Sequence, residues 1–470
     1  MTLTFIFIAI AVAVILSLFV LNRWRLYILL AVSVLAVYAL QPALPVRGLD
    51  FWLPTATLSL AVLAWALTTP PDGRNWRDNW KTAAIIGGIV ILLAATRFLG
   101  ISLPLTASTP PQFVQVLAGL AVIVALTFVL WRFTRPAAAL LVGAFLFIIL
   151  VFIVLKLPAL SAWASAALRS LNHQSTKLAS PLDLRWLGFS YIAFRFLHTL
   201  RDRQTGRLPV VSLGEYVVFI IFFPALTAGP IDRIDRFIKD LRTPAALTAE
   251  DFGAAGKRLA LGLFKKFALA DGLALIALNA ANAGQVRLAG WGWVILYAYA
   301  FQIFFDFSGY TDIAIGLGRL MGFRLPENFN APFLKPNLTQ FWNNWHMTLT
   351  QWFRAYFFNP LTRSLRSGKK KLPIWTVILI TQLATMVLIG LWHGMTVNFV
   401  LWGAWHGLGL FVHNRWSELT RARFAALTAG TQRLLNAGGT LLTFNFVALG
   451  WIFFALPDPA TSFHFLKVLF

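Results

Sequence analysis

The chain carries seven histidines and no cysteine in 470 residues. Thiolate nucleophiles, thiolate metal sites and disulfides are therefore excluded together, and imidazole is the side chain best suited to chemistry. His393 stands in GLWHGMTVN, beside Gly390, Trp392, Gly394 and Asn398, inside a run from Leu372 to Asn414 that has no charged residue. A histidine at a glycine-flanked helix break has room beside it for a substrate. Neutral imidazole takes up a proton near pH 7, which suits general-base work. The alternative is a core histidine bonded to a neighbouring helix. His346 stands in QFWNNWHMTLTQWFRAYFF. On one continuous helix Asn343, His346 and Thr350 share a face through their spacing of three and four. Trp342, Trp345 and Trp352 suit the headgroup level, where indoles collect; a helix lying on the membrane surface reads equally well.

Asp306 and Asp312, in FFDFSGYTDIAIGLG, are six residues apart and off a common helix face. They can orient a histidine, but a structural ion pair or a cap near Gly309 is the favoured reading. Arg195 and His198 adjoin the basic 201–207 stretch and read as interfacial. His406, His413 and His464 have no context that raises them. The sequence contains no Walker loop, no HExxH and no GxSxG elbow, and GLGRLMG lacks the setting of a dinucleotide site. The expected site accordingly holds no metal and no resident cofactor.

The elements that must position these residues are membrane helices. Charged residues make up 12% of the chain, about half the share of a soluble domain, and mean hydropathy is +0.72. Lys and Arg outnumber Asp and Glu by 40 to 17. The excess falls in short clusters between apolar runs, as in cytoplasmic loops of membrane proteins, and not in a nucleic-acid footprint. Runs of about 20 residues that can cross ~30 Å of hydrocarbon lie at 3–22, 25–41, 52–69, 82–100, 112–131 and 136–157. The first reads as a retained span rather than a removed signal. Arg23 and Arg25, then Arg74, Arg77 and Lys81, then Arg132 and Arg135 mark alternate loops, which predicts an outside N-terminus. Tyr216 to Leu226 reads as a re-entrant hairpin or as a surface helix with a turn. Spans resume at 258–282 and 289–320, and 323–371 reads as interfacial or re-entrant. The run from 372 to 414 would measure about 64 Å as one helix, so it must break, at Gly390 and Gly394. A last span covers 437–456. The expected fold is all-α and polytopic, a single domain over 1–470 with about 11 spanning helices and one or two partial ones.

Five segments taken together resemble the membrane-bound O-acyltransferases (MBOAT). They are FFPALTAGPIDR at 222–233, GLFKKFALAD at 262–271, DFSGYTDIAIGLGRLMGFRLPENFNAPF at 306–333, FWNNWHMTLTQWFR at 341–354, and LWHG at 391–394 followed by LWGAWHGLGL. The resemblance covers about 185–460; residues 1–157 match only in hydropathy. It implies a ring of tilted helices around a central tunnel, with donor and acceptor approaching from opposite sides. It also implies His393 as the main catalytic residue, at mid-membrane, and His346 near it. Asn343, Asn344, Trp392, Asn398 and Asp306 are the expected substrate contacts.

The implied reaction is transfer of a small acyl group, acetyl foremost, to hydroxyls of a cell-envelope or extracellular polysaccharide. The co-substrate would be acyl-CoA or an acyl carrier protein thioester. The implied location is the inner membrane, with an acyl carrier protein or periplasmic acetylation partners and no nucleic acid. Two bacterial branches fit, one acetylating alginate and one moving D-alanine to teichoic acid. A transporter or channel, and a scaffold without chemistry, are the rival classes.

Overall fold

The computed structural model describes residues 2–19, 22–70, 73–99, 105–132, 138–243, 247–368 and 372–470; Arg135 lies outside them. Among these residues every regular element is helical, as expected of an all-α polytopic protein. The chain forms two compact units, 1–257 with 314–325, and 258–313 with 326–470.

The first unit contains α1 (Leu3–Phe19), α2 (Asn22–Leu40), α3 (Leu49–Thr68), α4 (Trp76–Ala95), α5 (Phe113–Arg132), α6 (Ala138–Lys156), α7 (Pro158–Leu171), α8 (Phe189–Gln204), α9 (Leu213–Ile221) and α10 (Ile234–Arg242). Helices α2 to α6 are each long and apolar enough to cross a membrane. α5 and α6 have very few buried residues and present exposed side chains such as Val114, Phe128 and Leu146. Such apolar, outward faces fit lipid rather than water.

α9 departs from one of the two readings of 216–226. Its residues from Tyr216 to Ile221 are all buried, as is the turn through Leu226, so it is not a surface helix. A reciprocal cap starts it: Ser212 Oγ accepts from Glu215 N at 3.3 Å, and Glu215 Oε2 accepts from Ser212 N at 2.8 Å. Pro224 then stops the helical pattern. The orphaned carbonyls at this end are met by Arg195. Its guanidinium donates to the oxygens of Phe219 at 3.0 Å, Ile220 at 2.7 Å and Ala225 at 2.9 Å. Arg195 and His198 are thus buried, not interfacial. The cause is that a broken helix in apolar surroundings needs donors for its free carbonyls.

The remaining helices are α11 (Ala249–Leu263), α12 (Asp271–Ala274), α13 (Ala280–Ala283), α14 (Ala289–Leu320), α15 (Leu338–Asn344), α16 (Met347–Phe353), α17 (Asn359–Ser367), α18 (Ile374–His393), α19 (Val397–Ala425), α20 (Ala429–Ala455) and α21 (Pro459–Leu469). A π-helical segment, Phe264–Ala270, joins α11 to α12, so the run expected to reach 282 ends as helix at Ala274. The bounds of α14 match the expected 289–320. In the second unit α18 and α20 are further candidate spans, making seven among the described residues.

The long uncharged run folds as an antiparallel hairpin of α18 and α19. Gly394 marks the break. Gly390 remains helical and lets the Phe399 carbonyl approach where a Cβ would stand. Further down, Gly403 lies against Met386 O, where an added Cβ would be 2.5 Å away, and Gly407 lies against Leu383 Cα at 2.9 Å. This GxxxG spacing brings two helix backbones together, the main source of helix association where lipid removes the hydrophobic drive. Replacing Gly403 with leucine should force the hairpin open and cost about 1–3 kcal/mol or more. The expected result is a lower Tm in detergent. Gly438→Ala, at a helix position with open space around it, should leave Tm unchanged or slightly raised.

Candidate active site

His393 is the last residue of α18, at the tip of the hairpin. The backbone at Gly394 is extended, a conformation open to any residue. Space is what requires glycine there, because a Cβ would meet the Phe399 ring at 2.5 Å. Around the half-buried His393 ring stand Trp392 at 4.5 Å, Phe454 at 4.7 Å, Trp402 at 5.6 Å and Phe399 at 6.1 Å between centroids.

His346 sits at a second break. α15 ends at Asn344, Trp345 is extended, and His346 takes a left-handed conformation (φ 42°) as the residue before α16. Asn343, His346 and Thr350 therefore do not share the face of one helix. The break is held by the neighbouring 326–331 strap: Asn330 N donates to Asn344 O at 3.1 Å, and Met347 N to Asn328 O at 2.9 Å. The buried Asn328 side-chain oxygen lies 3.3 Å from His346 Nδ1 and accepts from Thr348 N at 3.2 Å and Thr348 Oγ1 at 2.7 Å. His346 Nε2 is buried and has no hydrogen-bond partner among the described residues. Burial pushes the imidazole pKa down to about 3, so the ring is neutral at physiological pH.

The two histidines meet one indole. Trp392 lies 4.5 Å from the His393 ring and 6.0 Å from the His346 ring, and Phe307 packs edge-on to His346 at 4.6 Å. Trp342 and Trp345, expected at the headgroup level, are instead buried among aromatics. With 15% aromatic residues in the chain, rings fill this core better than they serve as interface anchors.

The other expected contacts are dispersed. Asn343 Oδ1 accepts from Arg354 Nη2 at 2.6 Å, and Asn344 Nδ2 donates to Gln340 O at 2.7 Å. Asn398 Nδ2 donates to Leu456 O at 2.7 Å and Ser462 Oγ at 3.0 Å. Asp306, half-exposed, pairs with Lys266. Asp312 pairs with Lys265 at 2.7 Å and Arg258 at 3.2 Å, and Arg258 also reaches Glu327 at 2.5 Å. Burial pushes the Glu327 carboxyl up; the Arg258 charge pulls against that, Asp312 adds to it and Lys265 opposes it. A cavity of about 310 Å³ is lined by Trp342, Asn343, Thr350, Arg354, Gln382 and Asn414, among others; its lining includes neither His346 nor His393. Trp342 Nε1, Thr350 Oγ1 and Gln382 Oε1 have no hydrogen-bond partner among the described residues.

His406 is the residue that the sequence reading leaves without a role. It is fully buried, 5.0 Å from Trp402 and 5.2 Å from Trp342, and neither ring nitrogen has a hydrogen-bond partner among the described residues. Its signal is its place inside GAWHG, between the two glycines that close the hairpin.

The family described as MBOAT, membrane-bound O-acyltransferase family, matches residues 109–454, beginning well before the 185 of the sequence resemblance. The teichoic acid D-alanyltransferase of Streptococcus thermophilus is 32% identical over 289 residues, 58% of this chain and 68% of that one. The probable alginate O-acetylase AlgI of Pseudomonas aeruginosa is 34% identical over 289 residues, 60% of this chain and 51% of that one. The peptidoglycan O-acetyltransferase of Helicobacter pylori is 32% identical over 282 residues, 57% of this chain and 51% of that one. The match thus spans about half the length of the alginate and peptidoglycan relatives.

If His406 only packs, an aromatic of similar shape should replace it without loss. Exchanging an unpaired buried polar group for an apolar one is neutral or favourable. His406→Phe is expected to keep or raise Tm in detergent, whereas His406→Ala should lower stability by about 3 kcal/mol through the cavity it leaves.

Proposed function

The chain belongs to the membrane-bound O-acyltransferase family, and we propose on that premise that it moves an acetyl group from a thioester donor to a hydroxyl of a cell-envelope polysaccharide. The observation that carries this is the convergence of His393 and His346, each at a helix break, on one indole, that of Trp392. In the proposed step His393 removes the acceptor hydroxyl's proton as its oxygen attacks the thioester carbonyl carbon. The new C–O bond forms, the tetrahedral adduct collapses, and the C–S bond breaks. The imidazolium then returns the proton to the departing thiolate. Transfer is direct, since the chain offers neither cysteine nor a GxSxG serine. His346 orients the acceptor.

The donor is acyl-CoA or the thioester of a carrier protein, used as co-substrate with no resident cofactor. Acidic Asp306, held by Lys266, takes no part in the step. The setting is the cytoplasmic membrane, with the acceptor polymer outside.

A second reading, D-alanyl transfer to teichoic acid, is favoured by one fact: the D-alanyltransferase relative is matched over the larger share of its own length. Labelled acetyl and labelled D-alanyl donors, offered to membranes with the matching polymers, separate the two. In either case His393→Ala should lower label transfer at least ~100-fold, the scale of a lost general base, while the variant inserts and elutes as the wild type does. Undiminished transfer by a folded His393→Ala protein would overturn the assignment of His393 as the base, whereas a wild-type protein that transfers neither label would favour a transporter or scaffold.

A further inference from the structure

We propose that Asn328 is the positioning residue of this site: it holds His346 as the Nδ1–H tautomer, so that the Nε2 lone pair is the ring's working atom and accepts a hydrogen bond from the acceptor hydroxyl. The inference rests on the acyl-transfer reading above and assigns His346 one role within it.

The tautomer follows from donors and acceptors. Which end of an asparagine amide is oxygen is ordinarily an assignment made from the hydrogen-bond network. Here the backbone decides it. Thr348 N–H can only donate, and it lies 3.2 Å from the Asn328 side-chain atom, with Thr348 Oγ1 at 2.7 Å from the same atom. That atom must be the oxygen. Facing an acceptor at 3.3 Å, His346 Nδ1 must carry the hydrogen. In a neutral imidazole the other nitrogen then bears the lone pair. Nε2 is buried without a partner among the described residues, and the rings nearest the imidazole are Phe307 and Trp392. An Nε2 lone pair cannot donate to an oxyanion. It can receive the hydrogen of an attacking hydroxyl.

Asn328 is itself held firmly. It is fully buried, and its own carbonyl accepts from Met347 N. One residue back, Glu327 is gripped by Arg258 through contacts of 2.5 to 3.0 Å, and Arg258 meets Asp312, which meets Lys265. The strap and the break each contain a left-handed non-glycine residue, Ala331 (φ 44°) and His346 (φ 42°). Such conformations persist where the surroundings over-determine them. The ring of His346 is therefore oriented by a chain of contacts that starts at an ion-pair network and ends on one amide oxygen.

The test uses the full-length protein in proteoliposomes with the labelled-acyl assay. Asn328→Ala should lower kcat about 10- to 100-fold while changing KM for the donor less than about threefold, because orientation and not donor binding is lost. Asn328→Asp keeps the accepting oxygen and should recover at least about fivefold of that loss. It should also move the acidic limb of the pH–rate profile to higher pH, because a carboxylate beside Nδ1 favours the imidazolium and removes the lone pair sooner as pH falls. Wild-type kcat in Asn328→Ala would overturn the inference. So would equal impairment of both variants with an unmoved pH limb, the mark of a structural prop. His393→Ala is measured alongside. If the wild type transfers no label, the acyl-transfer reading fails; if the wild type is active and His393→Ala is dead while Asn328→Ala is fully active, only the role of Asn328 fails.

Discussion

A backbone amide or carbonyl buried away from water must find a partner within the protein, and in a bilayer no solvent can stand in. The breaks in this chain are arranged around that constraint. Where α9 stops, three carbonyls receive one guanidinium, that of Arg195. Where α15 stops and α16 starts, the 328–330 strap supplies an N–H to the outgoing carbonyl of Asn344 and an oxygen to each of the incoming amides of Met347 and Thr348. Each break thus requires a polar residue at a fixed place in an otherwise apolar surround. Those residues are the ones able to orient a reacting group, so the means of breaking a helix and the means of building a site coincide.

This coincidence explains what was legible in the sequence. The division of the 372–414 run near Gly394 follows from apolar length alone, because a bilayer limits how far a helix can extend. His393 was legible for the same reason, being a polar group at a break that length demanded. Periodicity failed where tertiary contacts override it. Asn343, His346 and Thr350 fit one helix face by spacing, yet the strap supplies hydrogen bonds that make the break at Trp345 and His346 as well satisfied as a continuous helix. Arg195 and His198 look interfacial by their nearness to a basic loop. Nothing local says that a helix 24 residues later ends in carbonyls that need a donor. Asn328 is silent in the same way: a lone asparagine in LPENFNAPF reads as loop until the residue it serves is known.

The three central histidines divide by environment. His406 has four rings around it and no hydrogen-bond partner among the described residues, the condition of a packing element. His346 has one nitrogen tied to protein and one left without a protein partner. His393 is half-buried at a hairpin tip, where an approaching substrate can reach it. A shared residue type therefore occupies three environments, and the surroundings of each ring nitrogen, rather than burial alone, separate them.

The aromatic lattice makes this division effective. Trp342, His406, Trp402, His393, Trp392 and His346 follow one another at centroid separations between 4.5 and 6.0 Å. Stiff rings at such spacing leave little room for a side chain to turn, and they exclude the water that would otherwise compete for each nitrogen. In a medium of that kind a single oriented lone pair or proton acts more strongly than it would in water. A chain without cysteine needs that gain, because imidazole in water is a modest base. The density of tryptophan and phenylalanine, which in composition alone signals only a membrane protein, is under the proposed mechanism the condition for histidine chemistry.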